Sequence, residues 1–253
     1  MPAGVSERQF HDQFYDGAAE RIFSSRLYRQ LLELQVRFLI AVTPEMAAGR
    51  VLSLGCGDGR RELALAPHAG RIVGIDVSPV AIEQARQRAR TLGVDNVEFH
   101  VGDVDRLEGR FRSFDAVLCA GVLHHVADGQ IGPLLGAVRS ALRAGGRFIS
   151  IDPNARRAVN IFKPFFRRAY ERYHSPDERE LRPGDLVAML RSAGFQDVEV
   201  RFTDAFISPL AWLFPRLTAP LAPALARLDQ LVVKIPALNQ LSSGFAVIAR
   251  NGA

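Results

Sequence analysis

The chain has 253 residues, of which 48% are apolar, enough to bury the core of one sizeable α/β domain and to exclude a disordered or fibrous protein. Its formal net charge is +5, which permits an anionic partner such as nucleic acid or anionic lipid but does not require one. No spacing of Cys and His typical of a metal site occurs, so we expect no bound metal.

The first 45 residues are predicted to form a helical segment ahead of the first strand. Residues 1–14 carry charges and no long apolar stretch, which indicates neither a secretory signal nor a membrane anchor. We therefore expect a cytoplasmic protein. Apolar residues at helical spacing predict an amphipathic helix over 27–42.

Short β-rich runs then alternate with helical stretches. Strands are predicted at 51–54, 71–76, 97–101, 114–119, 147–152, 197–202 and 244–250, and helices at 60–65, 78–92, 131–142 and 183–193. Strands that alternate with helices indicate right-handed crossovers and a parallel sheet. We therefore predict a doubly wound, mostly parallel α/β sheet of about seven strands. Cys56 and Cys119 lie in or beside these strands and are expected to be reduced thiols.

Two insertions interrupt the alternation. Residues 155–180 interleave arginines with aromatic residues, and residues 204–241 are apolar and contain several prolines. Such a density of prolines argues against one straight membrane-spanning helix. We interpret the chain as a single domain, with 48–152 as the cofactor-binding core and the two insertions as helical caps over the acceptor site.

Glycines and carboxylates follow the first three predicted strands. Gly55, Gly57 and Gly59 let the backbone turn sharply and approach a ligand closely. Asp76 ends the second strand, where a carboxylate accepts hydrogen bonds from both ribose hydroxyls of a nucleoside. Asp103 follows the third strand, within reach of an adenine amino group. The third glycine falls one residue too early for a dinucleotide fingerprint, which disfavours a nicotinamide cofactor.

The runs VLSLGCGDG, GIDVS, GDV, FDAVLCAGVLHHV and LRAGGRFI, in this order over residues 48–152, resemble the class I S-adenosylmethionine-dependent methyltransferase family. This resemblance implies a Rossmann-like methyltransferase fold and S-adenosylmethionine as cofactor. It also implies that the three glycines surround the amino-acid end of the cofactor, and that Asp76 binds the ribose. By the same resemblance Val77 packs on the adenine and Asp103 contacts its amino group, and the cofactor set is completed by Cys56, Val104 and Ala120.

Ser53 departs from the family pattern. Related proteins usually carry Asp or Glu there, and that carboxylate helps to hold the methionine amino group. Three interpretations stay open: the Ser53 hydroxyl or a water takes over this contact, the carbonyls of Cys119 and Ala120 take it over, or the cofactor binds more weakly. The last of these keeps a non-catalytic nucleotide-binding or regulatory protein as an alternative function.

Two histidines and an aspartate are candidates for the chemistry. Methyl transfer from a sulfonium is a direct displacement, so a base is needed only when the acceptor arrives protonated. His124 and His125 follow the fourth predicted strand, and a histidine titrates near neutrality; His125 is the preferred candidate. Asp152, after the fifth strand, is a candidate to orient or deprotonate the acceptor. The alternatives are that the histidines serve loop structure and cofactor packing, and that Asp152 caps the next turn.

The acceptor is predicted to be a small, apolar or lipid-like metabolite methylated on oxygen, with nitrogen and carbon left open. The first insertion fits an aromatic or anionic acceptor, or contact with an anionic membrane surface. A nucleic-acid methyltransferase is an alternative that we disfavour, because Asp152-Pro153-Asn154 follows the fifth strand, whereas the similar motif of nucleic-acid amino-methyltransferases follows the fourth. Near the N-terminus, Phe10, Phe14 and Tyr15 either gate the sulfonium or belong to the core of a leading helix.

Overall fold

The computed structural model describes residues 7–17, 19–104, 107, 111–127, 129–158, 160 and 179–252. Its seven strands all fall where sequence periodicity predicts them, with differences at their ends. They are β1 (Arg50–Leu54), β2 (Arg71–Asp76), β3 (Val97–Val101), β4 (Phe114–Ala120), β5 (Leu142–Pro153), β6 (Phe195–Phe202) and β7 (Gly244–Asn251).

The strands form one sheet in the order β3-β2-β1-β4-β5-β7-β6. All pairs from β3 to β5 are parallel, and β7 runs antiparallel to both β5 and β6. The predicted seven-stranded, mostly parallel sheet is therefore confirmed. The chain order reverses between β1 and β4, and such a switch point opens a crevice at the carboxyl ends of the strands, where open α/β sheets bind ligands.

Helices cover both faces of this sheet. They are α1 (Glu7–Gly17), α2 (Ala19–Phe23), α3 (Arg26–Val42), α4 (Arg60–Leu65), α5 (Pro79–Leu92), α6 (Ile131–Ala141), α7 (Pro183–Ser192), α8 (Ile207–Leu213), α9 (Pro215–Val232) and α10 (Pro236–Asn239). One apolar cluster joins the sheet to α6 and α7, and a second joins it to α3, α4 and α5. Burial of these two clusters is the main force that holds the layers together.

The boundary between α6 and β5 differs from the prediction. The helix ends at Ala141, and β5 begins at Leu142 rather than at position 147. Leu142 pairs with Phe114, after which the register shifts before Arg147 pairs with Ala116. Gly145 and Gly146, which follow the predicted helix 131–142, therefore lie in an irregularity inside a strand, where glycine tolerates the bend.

Two short helices precede the predicted N-terminal helix. The sequence-predicted helix 27–42 is present as α3, and the backbone N–H of Tyr28 donates to the cap residue Ser25 at 3.2 Å. Upstream, α1 packs on α5: the Ser78 hydroxyl donates to Asp12, and the side-chain amide of Gln84 donates to the carbonyl of Tyr15 at 3.0 Å. The N-terminal segment is thereby held at the carboxyl edge of β2.

The second insertion is helical, as predicted, but α9 continues through Pro220 and Pro223. Both prolines are exposed, so the carbonyls they leave without a helical donor can reach water. Asp229 of α9 accepts the backbone N–H groups of residues 205–207 at 2.9 to 3.1 Å and so joins α9 to the start of α8. Within the described ranges, no helix combines the length and the apolar character needed to cross a membrane.

Most of the first insertion, 161–178, lies outside the described residues, as do the aromatic and basic side chains predicted to clamp the acceptor: Phe162, Lys163, Phe165, Phe166, Arg167, Arg168, Tyr170, Arg172 and Tyr173. Its two ends are described and are tied to the rest of the fold, because the Ala158 N–H donates to the carbonyl of Leu241 at 3.0 Å and the Arg179 N–H donates to that of His124 at 2.9 Å. Arg157 donates to Glu180 at 2.9 Å across the insertion. The division into a core and two acceptor-site caps stays a prediction.

Candidate active site

The glycine loop after β1 lies at the switch point of the sheet. Gly55, Gly57 and Gly59 have φ values of 64, 55 and 76°, which residues with a side chain rarely adopt. A Cβ added at Gly55 would lie 2.2 Å from Cγ2 of Val122, which belongs to the loop after β4. The two loops therefore meet closely, with no room for a larger residue.

Asp76 ends β2 and holds the glycine loop. It is 8% exposed, its Oδ2 accepts the Gly57 N–H at 2.7 Å, and its Oδ1 accepts the Ser78 N–H at 2.9 Å. An ionised carboxylate offers about four lone pairs, so each oxygen retains capacity for a second hydrogen bond. Asp76 can therefore organise the loop and still accept from two ribose hydroxyls.

The remaining residues predicted for the nucleoside lie at the same edge. The Gly102 N–H donates to the carbonyl of Asp76 at 2.9 Å, which places the loop after β3 beside Asp76. Asp103 is exposed on this loop, Val77 and Val104 are partly buried, and Ala120 is buried at the end of β4. This geometry brings the predicted cofactor residues to one edge, while their individual contacts with a cofactor stay predictions.

An ion-pair network fastens the N-terminal helices to the glycine loop. Asp58 is buried in the loop and pairs with Arg60 at 2.8 Å and with Arg88 at 3.3 Å. Both arginines also pair with Glu20 of α2, at 2.5 and 2.7 Å. Because Asp58 is only 4% exposed, its charge requires these partners.

Tyr15 of α1 lies directly over the glycine loop. A Cβ added at Gly57 would lie 2.2 Å from the Tyr15 hydroxyl oxygen. Burial raises the pKa of Tyr15, and the nearby charges of Asp76 and Asp58 raise it further. The phenol is therefore neutral at physiological pH and is available as a hydrogen-bond donor at the cofactor edge. Both interpretations of the N-terminal aromatic residues, a gate over the sulfonium and ordinary packing, stay predictions.

Arg61 and Glu62 form an ion pair beside the glycine loop. Sequence reasoning missed both residues. Ser53 donates from its hydroxyl to Oε1 of Glu62 at 2.6 Å, and Glu62 is fully buried. Arg61 donates from Nε to the same Oε1 at 3.1 Å, and also to the carbonyls of Ala120 at 3.2 Å and Gly55 at 3.3 Å. A carboxylate therefore does lie beside position 53, supplied by α4 rather than by β1.

His124 and Asp152 form a buried pair at the ends of β4 and β5. Nδ1 of His124 lies 3.1 Å from Oδ1 of Asp152, and the two residues are 9% and 2% exposed. A carboxylate oxygen accepts, so this contact fits the tautomer whose Nδ1 carries the proton and whose Nε2 offers the free lone pair. The turn after Asp152 is held instead by Asn154, whose Oδ1 accepts the Arg156 N–H at 3.0 Å.

His125 lies beside this pair, against the ring of His124. Its ring centroid is 4.1 Å from that of His124 and 5.4 Å from that of His11 in α1. The structure thus places His125, the preferred candidate, against His11 of α1, and His124 against the carboxylate of Asp152. Among the described residues, no group of three or more His, Cys, Asp or Glu side chains is arranged to hold a metal ion.

Both cysteines are free and buried. Burial raises the pKa of the Cys56 thiol, with added effects from Glu62 and Asp76, and burial together with Asp152 raises that of Cys119. Protonated buried thiols are poor nucleophiles. The cysteines therefore serve packing at this edge rather than covalent chemistry.

The residues present fit S-adenosylmethionine. Asp76 retains two acceptor positions for ribose hydroxyls. Within the described chain, Oε2 of Glu62 has no hydrogen-bond partner although it is buried, and a buried carboxylate oxygen favours a cationic donor such as an ammonium group. The site therefore offers matching chemistry for both the ribose and the amino-acid end of this cofactor.

Comparison with known proteins agrees with this geometry. The family model described as "Methyltransferase domain" matches residues 46–176. An uncharacterized methyltransferase of Bacillus subtilis, YcgJ, is 33% identical over 106 residues, which are 42% of this chain and 41% of that protein. A ubiquinone biosynthesis O-methyltransferase of Xanthomonas axonopodis is 31% identical over 157 residues, 60% of this chain and 64% of that protein. The chain thus spans less than two thirds of either relative.

Solved structures resemble the whole chain. The [4+2]-cyclase SpnF superposes with a TM-score of 0.69 and 20% identity, covering 100% of this chain and 98% of that one. At this identity the likeness shows the fold alone. Because a fold hosts several reactions, the reaction has to be argued from the site.

Proposed function

The chain belongs to the class I S-adenosylmethionine-dependent methyltransferase family, and from this premise we propose that it methylates a hydroxyl oxygen of a small, apolar or lipid-like metabolite. The family membership confirms the predicted fold family and S-adenosylmethionine as the cofactor of this domain. The acceptor class, the methylated atom and the membrane contact are proposals.

The buried pair of His124 and Asp152 carries the choice of oxygen. When bound, S-adenosylmethionine supplies an electrophilic methyl group on a sulfonium sulfur. A hydroxyl acceptor is a weak nucleophile until its proton is removed. Nε2 of His124 can take that proton, while Asp152 fixes the ring through Nδ1 and stabilises the imidazolium that forms. The relative named for O-methylation in ubiquinone biosynthesis supports the same choice of atom.

A leucine stripe on α9 supports a lipid-like acceptor. We define this stripe as Leu217, Leu221, Leu228 and Leu231, which are 67, 55, 44 and 63% exposed. At about 3.6 residues per turn they lie within roughly 80° of one another around the helix axis. The buried face of α9, with Thr218, Ala222 and Asp229, lies on a different side of the helix. The stripe is therefore not needed for the core.

Cations flank the leucine stripe. Arg216 and Arg227 are exposed and lie together, roughly 90° from the stripe on the side away from the buried face. A helix with an exposed apolar face and a basic flank binds the surface of an anionic bilayer, with the leucines in the acyl boundary and the cations at the headgroups. We propose that α9 docks on such a surface, from which a lipid-like acceptor reaches the site.

The first experiment tests this docking. Vesicles of phosphatidylglycerol and phosphatidylcholine are sedimented with the wild-type protein, with Leu221→Ser/Leu228→Ser and with the control Gln230→Ser, which changes an exposed polar position of α9. We expect the double variant to lose about tenfold or more in vesicle affinity, because each leucine loses apolar burial. Equal binding of all three proteins, or a wild-type dimer that the double variant abolishes, would overturn the docking proposal.

The second experiment tests the acceptor atom. Transfer of labelled methyl groups is measured to matched apolar compounds that differ only in carrying a hydroxyl or a primary amine. We expect faster transfer to the hydroxyl compound, increasing with the length of its apolar chain. Preference for the amine would contradict oxygen methylation, and absence of transfer despite cofactor binding would favour the non-catalytic alternative.

A further inference from the structure

The pair of Arg61 and Glu62 lies beneath the cofactor edge and has no part in the mechanism above. The guanidinium of Arg61 donates to three acceptors: Oε1 of Glu62 and the carbonyls of Gly55 and Ala120. These carbonyls end the adjacent strands β1 and β4, at the switch point. Arg61 is only 13% exposed, so these contacts are made in a largely dry environment.

Three acceptors around one cation are what a primary ammonium group requires, because it has three donors and no acceptor. S-Adenosylmethionine carries such a group at its amino-acid end. The family resemblance implies a carboxylate at position 53 for it, where this chain has Ser53. Here Ser53 donates to Glu62 at 2.6 Å, so the serine orients a carboxylate that comes from nine residues further along the chain.

We propose that Glu62 is the carboxylate that binds the cofactor's ammonium group, and that Arg61 is an internal cation which this ammonium displaces from the carbonyls of Gly55 and Ala120. Binding is then an exchange of one cation for another over the same acceptors. The inference rests on S-adenosylmethionine as the cofactor, and it names binding residues that the motif pattern does not contain.

Burial and charge support this exchange. Glu62 is fully buried, and within the described chain its Oε2 lacks a hydrogen-bond partner, so it retains capacity for another donor. Burial lowers the pKa of Arg61, but the charge of Glu62 and the hydrogen bond to it, together with smaller effects of Tyr28 and Cys56, raise this pKa above its usual value. The arginine therefore stays charged and compensates Glu62 until another cation arrives. Its long, flexible side chain can withdraw without movement of the backbone.

The experiment compares two ligands by calorimetry. S-Adenosylhomocysteine has the amino-acid end, and 5′-methylthioadenosine lacks it but keeps the adenosine. We expect Glu62→Gln to weaken binding of S-adenosylhomocysteine about tenfold or more, because a charged hydrogen bond is lost, and to leave 5′-methylthioadenosine nearly unchanged. Glu83→Gln, at a position with a 65% exposed side chain, is the matched control and should bind both ligands as wild type does.

Relocation of the carboxylate makes the test independent of folding defects. Ser53→Asp in the Glu62→Gln background restores an acid beside the same carbonyls, with the side-chain amide introduced at position 62 as its hydrogen-bond donor. We expect this double variant to recover most of the lost affinity for S-adenosylhomocysteine. Failure to recover it in a folded protein, or an equal loss for both ligands in Glu62→Gln, would overturn the role of Glu62.

Arg61→Met tests the exchange itself. Removing the internal cation leaves Glu62 without its charge partner, so we expect S-adenosylhomocysteine to bind several-fold more tightly and 5′-methylthioadenosine to be unaffected. Unchanged or weaker binding of S-adenosylhomocysteine would overturn the exchange. No binding of S-adenosylhomocysteine to wild type would contradict the cofactor itself, whereas wild-type binding that Glu62→Gln leaves intact would overturn this inference alone.

Discussion

Asp152→Asn is expected to lower the single-turnover rate constant of methyl transfer to a hydroxyl acceptor by about 100- to 10,000-fold, the range that general-base catalysis supplies. The carboxylate of Asp152 accepts from Nδ1 of His124 at 3.1 Å. An asparagine amide can donate to that nitrogen instead, which stabilises the tautomer whose Nε2 carries the proton and cannot act as a base. His124→Gln removes the base directly and is expected to fall in the same range. Single-turnover transfer of labelled methyl groups measures both effects.

A second acceptor separates base catalysis from a structural defect. An acceptor whose hydroxyl is already ionised at the assay pH needs no base, so Asp152→Asn should retain most of its rate with that compound. The control is His68→Gln, because His68 is exposed on the segment after α4. Equal losses with ionised and protonated acceptors would assign His124 and Asp152 to loop structure, the alternative interpretation of the Leu-His-His sequence.

Asp76→Ala is expected to weaken S-adenosylhomocysteine binding by about 100-fold or more. The substitution removes the acceptor for two ribose hydroxyls, each a hydrogen bond to a charged group worth about 1.5–3 kcal/mol. It also releases the Gly57 N–H that Asp76 accepts at 2.7 Å, so the glycine loop loses its anchor. Calorimetric titration measures the change in Kd.

Asp95→Ala is the matched control for this substitution, because it removes the same charge from an exposed position before β3, at the opposite edge of the sheet. The Asp95→Ala protein should bind S-adenosylhomocysteine with the affinity of the wild-type protein. Asp76→Asn keeps one acceptor oxygen and should fall between wild type and Asp76→Ala. An Asp76→Ala protein that binds S-adenosylhomocysteine as tightly as Asp95→Ala would remove Asp76 from the cofactor site.

The strand and helix pattern was predictable because both periodicities are strong in this chain. Parallel strands buried on both faces leave continuous apolar runs, and a glycine or carboxylate at the end of each run indicates the binding edge. The boundary of α6 and β5 was not predictable, because Gly145 and Gly146 suit a helix end and a strand irregularity equally well. The sequence also did not predict that α9 continues through Pro220 and Pro223. Both prolines lie on the exposed side of the helix, and only the packing of α9 determines which side is exposed.

The position of Asp76 at the carboxyl end of β2 was predictable from its place after an apolar run, whereas the contact between Ser53 and Glu62 was not. The pairing of Ser53 with Glu62 spans the glycine turn, so no spacing rule indicates it. A weak signal did exist, because Glu62 occupies an apolar position in the first turn of α4, and a charged residue is rarely buried unless it is paired.

The choice between the histidines depended on side-chain direction. His124 and His125 are neighbours in the Leu123–His125 turn, and the sequence favoured His125 as the base without showing which ring faces Asp152. In the structure the carboxylate lies against His124, while His125 contacts His11. The role of His125 stays a prediction, which His125→Gln in the same single-turnover assay addresses.

The most direct measurement is calorimetric titration of the wild-type protein with S-adenosylmethionine and, separately, with NAD. The glycine spacing, Asp76 and the Glu62 carboxylate together favour a single nucleoside with an ammonium group over a dinucleotide. We expect saturable binding of S-adenosylmethionine with a Kd in the micromolar range, about −8 kcal/mol, and no detectable binding of NAD. Tighter binding of NAD, or no binding of S-adenosylmethionine by folded protein, would contradict the assignment of this site.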